Sequence, residues 1–151
     1  MTTRRETIIA WIDTTLSAYS FTTMTSPSVH RGLQFFDPGT NPPPLISILP
    51  RPEESERNAY GQMEHVFPVD ISAVAVLSST GNPSSTGESV LGELIKAAYS
   101  VATLPAAIED YVYSGGGIDS YPDDLSPFII TVGITINVHY STDIGNPDSL
   151  T

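Results

Sequence analysis

Residues 128–140 read Phe-Ile-Ile-Thr-Val-Gly-Ile-Thr-Ile-Asn-Val-His-Tyr. Every even position, from Phe128 through Ile130, Val132, Ile134, Ile136 and Val138 to Tyr140, is apolar. From Thr131 on, the odd positions are small or polar: Thr131, Gly133, Thr135, Asn137 and His139. A strict period of two predicts one extended strand with a face in the core and a face that is wet or set against something polar. At roughly 3.4 Å per residue such a strand is about 40 Å long, about twice the usual length. A small domain rarely needs that length for its own core, and strands that overrun a core suit ribbons used in assembly. The feature points to a building block before it points to an enzyme.

The rest of the chain sets bounds on function. At 151 residues and 40% hydrophobic, it is long and apolar enough for one domain, 1–151, with a real core. The charge is lopsided: 6 basic against 17 acidic residues, a formal net charge of -11. Phosphate neutralisation requires clustered Lys and Arg, so direct nucleic-acid binding and docking on anionic membranes are disfavoured. A negative wall that repels passing DNA is compatible with that charge. There is no cysteine, which removes disulfides, thiolate catalysis and Cys-based zinc sites. Arg4 and Arg5 are followed by no continuous apolar stretch, so a signal peptide is not expected, nor is a membrane span.

Periodicity and punctuation give the order of elements. Residues 3–19 form an amphipathic helix with Ile8, Ile12, Leu16 and Tyr19 on one stripe, and Thr3 and Glu6 are spaced as a capping box. A strand is expected over 29–36, a stiff loop over 37–44, and a short strand over 45–49 closed by Pro50. Residues 51–57 read as a polar connector and 60–77 as a second long strand, in which Pro68 requires an edge or a bulge. A flexible loop at 78–87 leads into a helix over about 88–102, started by Ser85 and Glu88, with Leu91, Leu94, Ile95, Ala98 and Val101 buried. A strand at 111–113, a glycine turn or bulge at 114–117 and the long last strand follow, with a flexible C-terminal tail over 142–151. The expected class is α+β: a mainly antiparallel sheet with long strands and two helices on one face.

Few residues are grouped as chemistry would need. His30, His65 and His139 lie on separate segments without metal-ligand spacing. Glu53, Glu54 and Glu56, like Asp123 and Asp124, form acidic stretches that read as solvated or partner-binding patches rather than catalytic pairs. No nucleophile elbow is present, and Gly115-Gly116-Gly117 lacks the Lys and the following helix of a phosphate loop. No catalytic, cofactor or metal residues are expected. Arg31, Arg51 and Arg57 admit two readings, internal salt bridges to nearby Glu residues or pairs across a subunit interface. The candidate interface set is Arg31, Arg51, Glu53, Glu54, Glu56 and Arg57.

The layout resembles the tail terminator, or tail completion, proteins of long-tailed bacteriophages. The resemblance runs through the helix Arg4–Tyr19, the strand Leu45-Ile-Ser-Ile-Leu-Pro50, the connector Glu53-Glu-Ser-Glu-Arg57 and the ribbon His65–Val76. It continues in the helix Leu91–Val101 and the ending His139-Tyr-Ser-Thr-Asp143. It implies a structural virion protein, assembled in the host cytoplasm, that forms a hexameric ring, caps the tail tube and joins it to the neck. Implied partners are other copies of the chain, the tail tube protein, head–tail connector proteins and a sheath protein. DNA would pass without specific binding through a lumen faced by acids, for which Glu88, Glu93, Asp119, Asp123 and Asp124 are the candidates, and no cofactor or membrane is involved. The alternatives are another tail or neck component, such as a tube or head-completion protein, and a small-molecule-binding α+β domain.

Overall fold

The structure, a computed structural model, describes residues 3–33, 40–78, 81–101, 103–123 and 127–146. Helix α1 spans Arg4–Ala18, followed by strands β1 (Ser28–Arg31), β2 (Leu45–Pro50), β3 (Glu54–Arg57) and β4 (Gln62–Val76). Helix α2 (Pro83–Ala98) and strands β5 (Asp110–Ser120) and β6 (Ile129–Asp143) complete the chain. The fold is α+β: a six-stranded, mainly antiparallel sheet in the order β1-β2-β4-β6-β5, with β3 also paired to β4. The one parallel neighbour pair is β1 with β2.

The predicted alternation becomes the sheet's two faces. Strands β4 and β6 are 15 residues each and pair along their whole length, from Gln62–Asp143 to Val76–Ile129. Directly opposed residues share a face. Phe67, Val69, Ile71, Ala73 and Ala75 of β4 therefore join Val138, Ile136, Ile134, Val132 and Ile130 of β6 on one face, all buried. Ile46 and Ile48 of β2 extend that face, and both helices cover it. Helix α1 contributes Ile8, Ile9, Ile12 and Leu16, and its Trp11 packs edge-on against Tyr111 of β5. Helix α2 contributes Val90, Leu94, Ala97 and Ala98. It approaches so closely at Gly87 that a Cβ there would lie 2.6 Å from Ile118 and 2.7 Å from Ile130. Phe128, the first residue of the predicted alternation, lies outside β6 and is exposed.

Pro68 illustrates how pairing tolerates an unsuitable residue. It lies in the inner strand β4 rather than at a sheet edge, paired on one side with Asn137. On its other side β2 ends at the Pro50–Val69 pair and β3 begins at Glu54–Val66, so three residues face two. The missing N–H of Pro68 falls at that irregularity, which is how a ladder accepts proline. Its carbonyl still accepts from the Arg51 amide at 2.9 Å.

Several boundaries differ from expectation. Residues 54–57 are strand β3, not connector: Glu, Ser and Arg are poor strand formers, but the hairpin to β4 supplies the partner they need. Helix α2 begins at Pro83, capped by Asn82, whose side chain accepts from the Ser85 amide at 3.0 Å, so Ser85 is not the cap. Proline in the first turn sacrifices no intrahelical bond. Residues 83–87 of the expected loop 78–87 are therefore helix. Val101 is exposed, whereas Gly87 and Glu93 are buried. Strand β5 runs through the glycines as far as Ser120, with irregularities at Tyr113/Gly115 and Ile118/Ser120. The expected tail starts later, since β6 reaches Asp143 and buries Ser141 and Thr142; residues 147–151 lie outside the described residues. Strand β1 ends at Arg31, and positions 34–36 of the expected strand, like 37–39 of the expected loop, also lie outside them. The Ser47 hydroxyl donates to the Leu33 carbonyl, so the chain leaving β1 turns onto the face opposite the helices. There Leu45, Ser47 and Val74 are buried.

Candidate functional site

Among the described residues no helix covers the second face of the sheet over β4, β6 and β5, and its side chains are mostly polar or absent, with Val66, Val74 and Val112 among the apolar exceptions. Opposed pairs on it are Glu64–Ser141, Val66–His139, Asp70–Thr135 and Ser72–Gly133 on β4 and β6, then Gly115–Thr135 and Gly117–Gly133 on β5 and β6. This is the wet face predicted from the odd positions of β6. At its centre a hollow of about 380 Å³ is lined by Arg51, Asp70, Ser72, Asp119, Thr135 and the glycines 115–117 and 133.

The hollow's polar groups fall into a paired and an unpaired set. Asp70 accepts from the Arg51 Nε at 2.6 Å and from the Thr135 hydroxyl at 2.8 Å. Asp119 lies over Gly133, where a Cβ would come within 2.5 Å of its Oδ2, so only glycine leaves that carboxylate its place. Partial burial, then the nearby negative charge of Asp70, pushes the Asp119 carboxyl above its ordinary value. The three glycines of β5 differ in cause. Gly115 has φ +141 at the irregularity, and a Cβ on Gly116 would lie 2.6 Å from the Gly133 carbonyl. Gly117 has neither constraint, and open space stands over it.

Beyond the helix layer, β3 and the ends of β4 and β6 continue as a three-stranded ribbon. All four residues of β3 are exposed. Two pairings put Glu54 and Glu56 on the uncovered face, the second directly opposite Glu64. The ribbon is anchored at its base. The His65 ring stacks on Tyr140 and bonds to Ser55 of β3 at 2.6 Å and Thr142 of β6 at 2.8 Å. Glu53 accepts from the Tyr140 hydroxyl and lies 3.9 Å from both Arg5 and His65. Burial and then the Glu53 carboxylate raise the Tyr140 phenol above its ordinary range. Arg5 lies 4.2 Å above the Phe67 ring, tying α1 to the same cluster.

The ribbon ends in a rigid turn. The Asn58 side-chain oxygen accepts from the amides of Tyr60 at 2.9 Å and Gln62 at 3.0 Å, and Gly61 has φ +77. The turn leaves Tyr60 88% exposed. The expected strand 60–77 would start at Tyr60, but Asn58 and Gly61 flank two residues in a hairpin-turn pattern that puts Tyr60 in the turn instead.

The predicted site residues do not converge. Of the interface set, Arg31 pairs with Glu6 and Arg51 with Asp70, so both take the internal reading, though with other acids than those of the connector. Glu53 turns inward, while Glu54, Glu56 and Arg57 stay exposed on β3. Among the described residues Arg57 makes no ion pair. Of the lumen set, Glu88 is exposed on α2, Asp119 is on the uncovered sheet face, Asp123 is exposed after β5, and Asp124 lies outside the described residues.

Glu93 is a correction: it is buried and serves the fold. Its carboxylate accepts from the Thr22 and Thr23 amides, at 2.9 and 2.8 Å, and from both hydroxyls at 2.7 Å. Burial alone would raise its pKa, but those four donors outweigh it and bring it to about 2. The histidines do not meet either: His30 is on β1, and His65 and His139 are on opposite faces. Among the described residues no three His, Asp or Glu side chains group as a metal would need. No protein-family model matches the chain, and no curated protein matches it in sequence.

Proposed function

We propose that this chain is a ring-forming structural subunit of the kind that ends a bacteriophage tail tube and joins it to the neck. The observation that carries the reading is the ribbon. Two 15-residue strands overrun the helix layer and carry with them a third, wholly exposed strand held by a cluster of partly buried polar contacts. A monomer gains little core from that extension, whereas a subunit that must touch neighbours gains reach. The resemblance in layout to tail terminators points the same way.

Charge supports the same reading. Glu54, Glu56 and Glu64 on the ribbon and Asp70 and Asp119 further along occupy one sheet face. A carboxylate-rich wall repels phosphates, so DNA can slide past it without being held. The lumen would then be lined by the ribbon acids rather than by Glu88 or Glu93.

The test is electron microscopy and sedimentation of the purified chain, alone and mixed with preassembled tail tubes. The expected result is hexameric rings, free or on tube ends, with no DNA retention at low salt. Chains that stack into long filaments would mean a tube subunit. Single copies that ignore tube ends, or salt-sensitive DNA binding, would overturn the proposal.

A further inference from the structure

The ribbon tip and the central hollow are complementary. At the tip stand Tyr60, 88% exposed on a turn already fixed by Asn58, and Arg57, a cation without an ion pair among the described residues of a chain with net charge -11. Tyr and Arg are the side chains that most often dominate protein interfaces, and a pre-ordered turn loses little entropy on docking. In the hollow stand Gly117, which neither packing nor φ requires, and Asp119, a carboxylate with no hydrogen-bond donor among the described residues. A glycine kept inside a strand marks a place where another group comes close to the backbone.

We propose that the Tyr60 tip of one copy seats in the glycine-floored hollow of a second copy, with Arg57 facing Asp119. The occupant is a second copy because the tip carries an exposed aromatic ring and a cation without an ion pair among the described residues, the hollow carries a carboxylate without a donor among them, and both lie on one chain. Gln62, beside the tip, and Asp70, in the hollow, are eight steps apart along β4, roughly 27 Å of strand. Tip and hollow are different patches, so the contact is head-to-tail, which generates a ring when the rotation closes and a filament when it does not. This deepens the ring-subunit reading and rests on it for the identity of the partner. It moves Asp119 from the lumen wall to the subunit contact and leaves the lumen to Glu54, Glu56 and Glu64.

The absence of cysteine gives a clean test. Tyr60→Cys and Gly117→Cys chains are mixed under mild oxidation, with Glu88→Cys replacing Gly117→Cys as the control. The expected result is a covalent Tyr60→Cys/Gly117→Cys heterodimer at least tenfold above the control. Adding Arg57→Glu to the first chain should lower that yield several-fold, and adding Asp119→Lys to the second should restore it. Yield no higher than the control, in chains with wild-type thermal melts, overturns the docking. Indifference to the charge swap overturns the Arg57–Asp119 part. Sedimentation of the wild type separates the two proposals. Rings without the cross-link leave the ring reading standing and refute this contact, and the cross-link without rings does the reverse.

Discussion

Replacing Glu93 with Gln tests how an acidic chain fixes a loop with a buried charge. The carboxylate holds Thr22 and Thr23, between α1 and β1, through four donors, and its pKa falls from 4.5 to about 2. A carboxylate with a lowered folded-state pKa contributes stability above its unfolded value, and that stability is lost as pH falls through the folded value. The window runs from pH 4.5 down to about 2. At about 1.36 kcal/mol per pH unit, that span is worth about 3 kcal/mol. Gln mimics the protonated, uncharged group. E93Q should therefore be about 3 kcal/mol less stable than wild type at pH 7, and the gap should narrow to about 1.4 kcal/mol at pH 3. Urea unfolding of both proteins at pH 7, 4.5 and 3 measures this gap directly. Taking the difference removes the contribution of the other carboxylates, which both proteins share. A gap that stays constant across the three pH values would refute the reasoning, because the charge of Glu93 would then not be what holds the loop.

Two further outcomes follow from the sheet. Ile134→Asp places a carboxylate on the buried face of β6 and should cost about 4 kcal/mol or more. Thr135→Asp, on the uncovered face, loses only the bond to Asp70 and adds a like charge, costing about 1–2 kcal/mol; equal thermal melts would mean that the strand assignment is wrong. Gly116→Ala forces a Cβ to 2.6 Å from the Gly133 carbonyl and should lower the melting temperature by several degrees. Gly117→Ala, with open space above it, should melt within a degree or two of wild type or slightly higher. A matching loss at both glycines would mean that the floor of the hollow is packed rather than open.

Much of the fold was legible because burial imposes a period. The even positions of β6 and the alternating residues from Phe67 to Ala75 had to share a face, and Thr3 and Glu6 had to start α1, whose Thr3 side chain does accept from the Glu6 amide. Those choices depend on neighbours within a few residues. Strand β3 was not legible, because Glu54-Ser-Glu-Arg57 carries no apolar signal and becomes a strand only through hydrogen bonds to β4. The start of α2 was missed for a different reason: Ser85 with Glu88 and Asn82 before Pro83 are both valid starts, and the fold used the earlier one.

The candidate site was less legible than the fold. Composition fixed a surplus of acid and a shortage of cations, but it could not assign partners across the chain. Glu93 bonds residues 70 and 71 positions away, and Asp70 reaches Thr135, 65 positions away. Only the tertiary structure could send Glu93 inward, pair Arg31 with Glu6 and leave Arg57 exposed at a ribbon tip. Two long alternating strands, an apolar and a mostly polar sheet face, and two covering helices follow from residue order alone, because each is a local pattern of polarity. Which charges are spent inside the subunit and which remain for a neighbour was decided by the topology, because an ion pair depends on distance in space and not on separation along the chain.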